Sequence, residues 1–305
     1  MDIRNAQHSL GKHPGRLDDD DLQSIPIKFQ MQMDADGIRC FEMPNSEDGM
    51  GFHLVLITPE QVEILKRYSR RGFSIDDTHC TTQYNLKLAC MMVVDDYDRA
   101  VPAGFLLANK MDKEECTYFF REVKSLFEDF KSRFFLTNDT MSFWNGYNTV
   151  FPGNDAVKLL CSWHCQRAVF DKLTSCCPEK VNERRSVIKG WIRVLFTQSN
   201  KAEFYRAKCQ LLTVLSKYRL DDEKCKEFDA LFRKYYINRQ EQWAPYNRTE
   251  VIANTTMVSE RWHRTLKYTL LNRSANSRVD ELVHILISDV PDLVRDHLVQ
   301  TNAVR

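Results

Sequence analysis

The order of strand and helix patterns between residues 73 and 161 constrains the fold more than any other feature of this sequence. Three closely spaced apolar segments, joined by turn-prone residues, predict an antiparallel meander. They lie at residues 73–79, 86–94 and 103–108. Helical and strand patterns then alternate, with helices at 113–130, at 141–150 and from Trp163, and strands at 133–137 and 157–161. This order predicts an α/β protein whose mixed sheet has three antiparallel strands followed by parallel strands.

Few α/β folds begin with three antiparallel strands, and the ribonuclease-H-like fold is one that does. We therefore expect a ribonuclease-H-like core. Residues 183–197, 201–215 and 222–236 show helical periodicity without strand patterns, which predicts an α-helical insertion. The expected domains are an acidic, partly helical lead-in (1–70), the first part of the core (71–176), the helical insertion (177–250) and C-terminal helices that complete the core (251–305).

The composition fits a globular protein of the cell interior. A chain of 305 residues with 43% hydrophobic residues can bury a substantial core. Its longest apolar runs are much shorter than the roughly 20 residues that span a bilayer, and its first residues lack the pattern of a secretory signal. The ten cysteines are scattered without a CxxC pair. We therefore expect reduced thiols, no dedicated zinc finger and no membrane segment.

A net charge of only +1 hides an uneven distribution of charge along the chain. Residues 1–60 contain 11 acidic and 5 basic residues, whereas residues 178–273 contain 20 basic and 11 acidic residues. A basic second half is typical of a protein that contacts a polyanion. A solvated helical face of mixed charge explains the same numbers equally well.

Two aspartates follow strand patterns at positions that suit metal chemistry. Asp76 ends the first strand of the core, and Asp139 ends the fourth. These two strands are neighbours in a ribonuclease-H-like sheet, so we expect their carboxylates to converge. Converging carboxylates can hold two divalent ions for phosphoryl transfer, and their hard oxygens favour Mg²⁺ or Mn²⁺ over zinc. Asp77 competes with Asp76 for the first position, because strand alternation alone does not choose between them.

A third candidate carboxylate, Glu260, lies on a predicted helix that begins near residue 258. The predicted buried stripe of this helix repeats every four residues and consists of Val258, Trp262, Leu266 and Leu270. Glu260, His263, Arg264 and Lys267 fall on another face, where a metal ligand would lie beside contacts to phosphate. Glu260 and Arg264 also have the spacing of a common solvent-facing ion pair, so this pattern leaves both interpretations open.

Four motifs in this order resemble those of the MULE (Mutator-like element) transposase domain. They are Asp76-x-Thr78, then Leu136-Thr137-Asn138-Asp139 followed by Val150-Phe151-Pro152, then Leu160-Cys161-Ser162-Trp163-His164-x-x-Arg167-Ala168, and finally Ser259-Glu260-x-x-His263-x-x-Leu266-Lys267. The apolar-Asp-x-Thr run also resembles the first catalytic strand of retroviral integrases, and this match selects Asp76 over Asp77. The resemblance implies that Asp76, Asp139 and Glu260 are the catalytic, metal-binding residues of a DDE-type transposase.

The resemblance further implies a nuclear DNA transposase that uses Mg²⁺ or Mn²⁺ to cleave transposon ends and join them to target DNA. It also implies a homo-oligomer on DNA. The candidate DNA contacts are Arg184, Arg185, Lys189, Arg193 and Arg264. The family's zinc-binding DNA-recognition modules are not found in these 305 residues, which favours one alternative, a domesticated DNA-binding or regulatory protein without catalysis. A nuclease that hydrolyses DNA without transposition is a third interpretation.

The pair Cys161-x-x-His164 matches another signature of the same family. It supplies only two of the four ligands that a structural zinc needs, and no second pair lies at a convincing spacing. We therefore favour packing or DNA positioning over metal binding for this pair. His263 and Lys267 belong to the fourth motif, and the sequence leaves their roles open.

Overall fold

The computed structural model describes residues 14–31, 37–43, 51–176, 182–218, 223–248, 257–272 and 277–303. The chain divides into two compact units. Unit 1 comprises Met1–Arg133, Thr140–Ala156 and Met257–Arg305, and unit 2 comprises Phe134–Asp139 and Val157–Thr256. Asp76 and Glu260 thus belong to unit 1, whereas Asp139 belongs to unit 2.

The described residues form a mixed α/β protein. The strands are β1 (Ile38–Glu42), β2 (His53–Leu56), β3 (Phe73–Thr78), β4 (Lys87–Val94), β5 (Ala100–Ala108), β6 (Phe134–Thr137) and β7 (Val157–Leu160). The helices are α1 (Asp21–Met31), α2 (Pro59–Tyr68), α3 (Lys113–Leu126), α4 (Ser142–Val150), α5 (Ser162–Cys176), α6 (Asn182–Thr197), α7 (Lys201–Tyr218), α8 (Glu223–Tyr235), α9 (Met257–Thr265), α10 (Val279–His284) and α11 (Val290–Ala303). A π-helical segment, Leu266–Leu270, continues α9.

Unit 1 contains five antiparallel strands in the order β1-β2-β5-β4-β3. Strands β3, β4 and β5 form the meander that the sequence predicts. One face of β3 packs against α3 and α4, where Phe73 lies with its ring centroid 6.2 Å from that of Phe120 and 5.8 Å from that of Tyr147. A side chain at Gly146 would clash with Cys116, so this glycine lets α4 approach α3 closely. The sheet and these two helices form one continuous core.

Unit 2 contains a parallel pair, β6 and β7, and the helices α5 to α8. Its core consists of apolar side chains from these helices and from the segment that follows α8, including Phe196 of α6 and Trp243, whose rings stack with centroids 4.4 Å apart. The guanidinium of Arg248 is buried there and donates hydrogen bonds to the carbonyl oxygens of Leu160 and Gln242. Burial lowers the pKa of Arg248 to about 10. Helices α6, α7 and α8 lie where the sequence predicts helices.

The sequence patterns missed β1 and β2 in the first 70 residues. Both strands are short, and all four residues of β2 are buried, so the alternation that marks a half-buried strand is absent. Strand β5 begins at Ala100, earlier than predicted, because the register shifts between Met91 and Met92 opposite Pro102, and such an irregularity tolerates a residue without an N–H group. Helix α3 ends at Leu126, earlier than predicted, since Phe127 leaves the helical conformation.

Two expectations from the composition concern the membrane and the cysteines. Within the described part of the chain, no helix combines the length and the apolar character needed to cross a membrane. None of the nine described cysteines takes part in a disulfide bond. Six of these nine side chains are buried, Cys40 is half-buried, and Cys80 and Cys209 are exposed.

Candidate active site

Asp76 lies on the face of β3 that α9 covers. Strand alternation places Ser74, Asp76 and Thr78 on one face. Ser74 Oγ lies 3.2 Å from Ser259 Oγ of α9 in a hydrogen bond, and both serines are buried. This bond fastens α9 to the strand two residues before Asp76 and one residue before Glu260.

Aromatic packing holds α9 on the same face of the sheet. Asp76 pairs with Cys90 of β4, and Cys90 pairs with Phe105 of β5, so the three side chains form a row across the sheet. Trp262 of α9 stacks on Phe105 with ring centroids 6.2 Å apart. Burial raises the pKa of the Cys90 thiol, and the charges of Asp76 and Asp77 raise it further. Cys90 is therefore a neutral thiol beside Asp76.

The carboxylates of Asp76 and Glu260 meet within unit 1. One carboxylate oxygen of each lies within 4.8 Å of the other. Asp76 is 3% exposed, and its Oδ1 accepts a hydrogen bond from the Asp77 backbone N–H at 3.1 Å, whereas Glu260 is exposed. Mg²⁺ binds oxygen ligands at about 2.0–2.1 Å, so two oxygens at this separation can share an ion after a small side-chain movement. These hard oxygen donors fit Mg²⁺ or Mn²⁺.

Asp77 lies on the opposite face of β3, which α3 covers. Burial raises the pKa of the Cys116 thiol of α3, and the charges of Asp112 and Asp77 raise it further. One carboxylate oxygen of Asp77 also lies 4.0 Å from Nε2 of the exposed His79. The structure therefore places Asp76, and not Asp77, beside Glu260.

His263 does not lie on an exposed face with Glu260, and this prediction is wrong. Its side chain is 6% exposed, and burial lowers the pKa of His263 to about 4, with a further contribution from the charge of Lys267. The reason is that α9 is buried over a wider arc than the four-residue repeat predicts. The buried positions are Ser259, Trp262, His263 and Leu266, which is the full i, i+3, i+4, i+7 pattern of a core-facing helix. The side chain of Val258 lies outside the described residues.

The other basic residues of this motif lie nearer the surface. Lys267 is half-buried in the π-helical segment that continues α9. Arg264 is exposed, with its guanidinium carbon 5.9 Å from the centre of the Tyr268 ring. Arg264 and Glu260 thus share the solvent-facing side of α9, as the sequence predicts.

Asp139 follows β6 in unit 2 and forms a bidentate ion pair with Arg239. Arg239 Nη1 donates to Asp139 Oδ1 at 2.7 Å, and Nη2 donates to Oδ2 at 2.6 Å. Arg239 lies in the 3₁₀ segment Ile237–Gln242, where its φ of −128° and ψ of 30° depart from helical values. Both oxygens of Asp139 are engaged, so a metal ion and Arg239 would compete for them. No local pattern in the sequence points to Arg239.

Cys161 and His164 lie at the start of α5 in unit 2. The N–H of Cys161 donates to the Thr137 carbonyl oxygen at 2.8 Å, and its buried sulfur accepts a hydrogen bond from the His164 N–H at 3.5 Å. A side chain that accepts from the first turn caps the helix. The half-buried His164 ring contacts Trp163, with centroids 4.8 Å apart. These contacts support a packing role for Cys161.

The basic candidates on α6 lie against aromatic rings of unit 2. Lys189 Nζ is 5.0 Å and the Arg193 guanidinium carbon 5.7 Å from the centre of the Phe170 ring. The guanidinium carbon of Arg184 is 5.5 Å from the centre of the Tyr218 ring, and Arg185 lines a shallow surface pocket with Lys189. Positive charge next to aromatic faces is a combination that proteins use to bind nucleic-acid strands.

A comparison with protein families extends these observations. Residues 73–168 match the MULE transposase domain. The matched region runs from β3 into α5 and contains Asp76, Asp139, Cys161 and His164, whereas Glu260 lies beyond it. No curated protein matches the chain significantly.

Proposed function

We propose that this chain, which carries a MULE transposase domain, acts as a DDE-type DNA transposase with Asp76, Asp139 and Glu260 as its catalytic acidic residues. The observation that carries the proposal is the meeting of the Asp76 and Glu260 carboxylates in unit 1. One comes from a strand inside the matched domain, and the other comes from a helix far beyond it. Two hard carboxylates from separate segments are the start of a two-metal phosphoryl-transfer site, and the proposal requires Asp139 to complete it.

A ribonuclease-H-like fold is part of the proposal. The meander of β3, β4 and β5, followed by α3, β6, α4, β7 and α5, gives the element order of that fold. Parallel pairing of β6 with β7 supports it. Helices α6 to α8 would then be the insertion between the second and third acidic residues.

The residues around Asp76 prepare the site for two Mg²⁺ or Mn²⁺ ions. When bound, such ions supply Lewis-acid activation of water and stabilise the charge that develops on the attacked phosphate. Asp76 and Glu260 supply oxygen ligands, and the bond between Ser74 and Ser259 fixes the helix that carries Glu260. His263, which is neutral near pH 7 because burial lowers its pKa to about 4, adds no positive charge there.

DNA is the partner that a transposase domain implies. Arg264 on the exposed side of α9 is placed to contact a phosphate, and the α6 residues Arg184, Arg185, Lys189 and Arg193 are candidates for further contacts. We also propose assembly as a homo-oligomer on transposon ends and target DNA, and a nuclear location. Imaging of the tagged full chain tests the location directly.

Replacing Asp139 tests the proposed function. Asp139→Asn keeps the size of the side chain but removes the charge that a divalent ion needs, so we expect Mg²⁺-dependent cleavage and strand transfer to fall below detection. Asp171→Asn, at an exposed aspartate of the same unit, is the matched control and should retain activity. Full activity of Asp139→Asn would remove this residue from the site. DNA hydrolysis by the wild type without strand transfer would favour a nuclease.

The ion pair between Asp139 and Arg239 favours a second candidate function. A domesticated DNA-binding or regulatory protein has no need for metal ligands, and in such a protein this pair would serve only the structure of unit 2. Calorimetric titration with Mn²⁺ separates the two. Normal DNA affinity, with Mn²⁺ binding that does not change when Asp76 or Asp139 is replaced by Asn, would favour the non-catalytic protein.

A further inference from the structure

Cys40, His53 and Glu115 form a chain of contacts in unit 1 to which the proposed transposase chemistry gives no role. Cys40 Sγ lies 3.2 Å from His53 Nε2, and His53 Nδ1 lies 2.9 Å from Glu115 Oε2. The first contact has hydrogen-bond geometry. The second is an ion pair whose N–H is not aligned with the oxygen. The imidazole thus stands between a thiol and a carboxylate, with one ring nitrogen facing each.

Sheet register and helix packing bring the three residues together. Cys40 of β1 pairs with Val55 of β2, and Glu42 pairs with His53, so Cys40 and His53 are diagonal neighbours on one face of the sheet. Helix α3 packs against β1 and β2 and carries Glu115. Tyr118, one turn further along α3, contacts the His53 ring edge-on with centroids 4.7 Å apart. These contacts fix the orientation of the imidazole.

Burial is graded along the chain of contacts. His53 is 1% exposed and Glu115 is 5% exposed, whereas Cys40 is only half-buried. The carboxylate and the imidazole are therefore shielded from water, whereas Cys40 is partly accessible to solvent. This gradient is what a reactive side chain with a buried supporting group requires.

The charges around His53 favour its protonated form. Burial alone would lower the pKa of His53, but the hydrogen bond to Cys40, the contact with Glu115 and the electrostatic interactions with both side chains outweigh burial and raise it to about 9. Glu122, a further carboxylate of α3, also interacts with His53, and Arg39 of β1 interacts with Glu122. At neutral pH the sulfur of Cys40 consequently faces an imidazolium.

Metal binding is a poorer explanation of this arrangement. His53 uses opposite ring nitrogens for the sulfur and the carboxylate, so the three side chains do not point at one common centre. A cation next to sulfur instead stabilises the thiolate, which is the nucleophilic form of cysteine.

We propose that Cys40 is a reactive thiol that forms mixed disulfides with low-molecular-weight disulfides, supported by His53 and Glu115. The thiolate of Cys40 attacks one sulfur of the small disulfide. A bond forms between that sulfur and Sγ of Cys40, the original S–S bond breaks, and the second sulfur leaves as a thiolate. The leaving thiolate takes its proton from water, and His53 stabilises the thiolate of Cys40 before the attack. Cys40 is oxidised and half of the disulfide is reduced, so no other oxidant is needed. The proposal is independent of the transposase function.

Two exposed cysteines of the wild-type chain serve as internal controls for a test of Cys40 reactivity. Cys80 and Cys209 are more exposed than Cys40, and in the described part of the chain neither shows a hydrogen bond to an imidazole. The folded full chain is treated with oxidised glutathione between pH 6 and pH 8, and mass spectrometry follows modification of each cysteine. An ordinary thiol is about 1% thiolate at pH 6.5, and its rate rises by about tenfold per pH unit in this range.

We expect Cys40 to react at least about tenfold faster than Cys80 and Cys209 at pH 6.5, because a lower intrinsic nucleophilicity offsets only part of the gain in thiolate. Its rate should rise less steeply between pH 6 and pH 8 than the rates of Cys80 and Cys209. A Cys40 rate that rises as steeply as that of the two exposed cysteines, or is no faster than theirs at pH 6.5, would overturn the proposal. Neither outcome depends on a variant that must fold.

Variants then assign the roles of the supporting groups. His53→Gln should lower the rate at Cys40 by about tenfold at pH 6.5 and restore the steep pH dependence. Glu115→Gln should give a smaller loss, and Glu114→Gln, at the exposed neighbour, should give none. Circular dichroism checks that each variant is folded. A folded His53→Gln chain with an unchanged rate would also contradict the proposal.

Discussion

Two adjacent aspartates on β3 differ in the properties that decide whether a carboxylate can hold a metal ion. Asp76 is buried under α9, with its oxygens near those of Glu260. Asp77 faces α3 and is partly exposed, near the solvent-facing His79. Chemically identical side chains one residue apart therefore have separate surroundings, because successive strand residues point to opposite faces.

This difference predicts unequal effects of the same substitution. Asp76→Asn should weaken Mn²⁺ binding by at least about tenfold, which is about 1.4 kcal/mol, because it removes a charged ligand. Asp77→Asn should change the affinity by less than about threefold. Isothermal titration calorimetry measures both affinities, and thermal melts show whether each variant is folded. An equal loss of affinity in the two folded variants would contradict the assignment of Asp76.

Arg239 gives a second prediction at this scale, because it engages both oxygens of Asp139. Arg239→Gln should strengthen Mn²⁺ binding several-fold if Asp139 is a ligand, since the competing cation is gone. The free energy of unfolding of Arg239→Gln should differ from that of the wild type by less than about 1 kcal/mol, because both side chains of the ion pair are partly exposed. Calorimetry and urea denaturation measure the two quantities.

The double variant Arg239→Gln with Asp139→Asn serves as the control for this gain. It should lose the added affinity, because the freed carboxylate is no longer present. Unchanged Mn²⁺ affinity in Arg239→Gln would indicate that Asp139 does not bind the ion.

The sequence predicts some of these residues better than others. Strand alternation separated Asp76 from Asp77 but did not show which face α9 covers, because that depends on a hydrogen bond between residues 185 positions apart. The family resemblance selected Asp76 without that information. Arg239 lies 100 positions from Asp139 in the chain, so no local pattern connects the two residues.

At the scale of elements, the patterns succeed where turn-prone residues separate long apolar runs. The meander of β3, β4 and β5 was predicted because turn-prone residues separate long apolar runs. Strands β1 and β2 were missed because they are short and β2 is buried throughout. On α9, the four-residue repeat found Trp262 and Leu266 but missed the burial of Ser259 and His263, whose polar side chains do not look like core residues. Tertiary packing overrides the local pattern for Ser259 and His263, which α9 buries although they are polar.

The burial of His263 makes α9 sensitive to acid. Its folded pKa of about 4 is below the value of 6.5 of an unperturbed histidine, so between these values the unfolded chain binds a proton that the folded chain does not. The contribution of the neutral His263 to the free energy of unfolding is therefore fully present above pH 6.5 and is lost as the pH falls toward 4. The free energy of unfolding should fall in both proteins between pH 7.5 and pH 5. We expect this fall to be about 2 kcal/mol smaller in His263→Gln than in the wild type, as measured by urea denaturation.

Other groups also titrate in this range, so the comparison between variants carries the result. The pKa of His297 is lowered as well, and this group acts in the wild type and in the variant alike. His79→Gln, at an exposed histidine, is the matched control and should follow the wild type. A His263→Gln chain with the pH dependence of the wild type would show that His263 does not resist protonation in the folded state.

At the scale of the whole molecule, net charge is a poor guide to a polyanionic partner. The chain is close to neutral, with 43 basic and 42 acidic residues. For the proposed DNA partner we therefore expect weak long-range attraction, with affinity coming from local clusters of positive charge. The described part of α6 is one such cluster, where Lys189 and Arg193 both lie over the Phe170 ring. Aromatic contact limits the freedom of these long side chains, which lowers the entropy lost when they bind a phosphate.

We expect local clusters of this kind to make DNA binding depend steeply on salt despite the small net charge. Each phosphate contact releases counterions. For duplex DNA, each contact makes the negative slope of log affinity against log salt steeper by about 0.9. Lys189→Gln and Arg193→Gln should therefore each lower the slope by about 1, with a similar loss of affinity for unrelated DNA sequences. Fluorescence anisotropy with labelled duplexes at several salt concentrations gives both quantities. Lys66→Gln, at an exposed lysine of α2, leaves the slope unchanged if the contacts are local to α6. Equal slopes for the wild type and all three variants would place the DNA surface elsewhere on the protein.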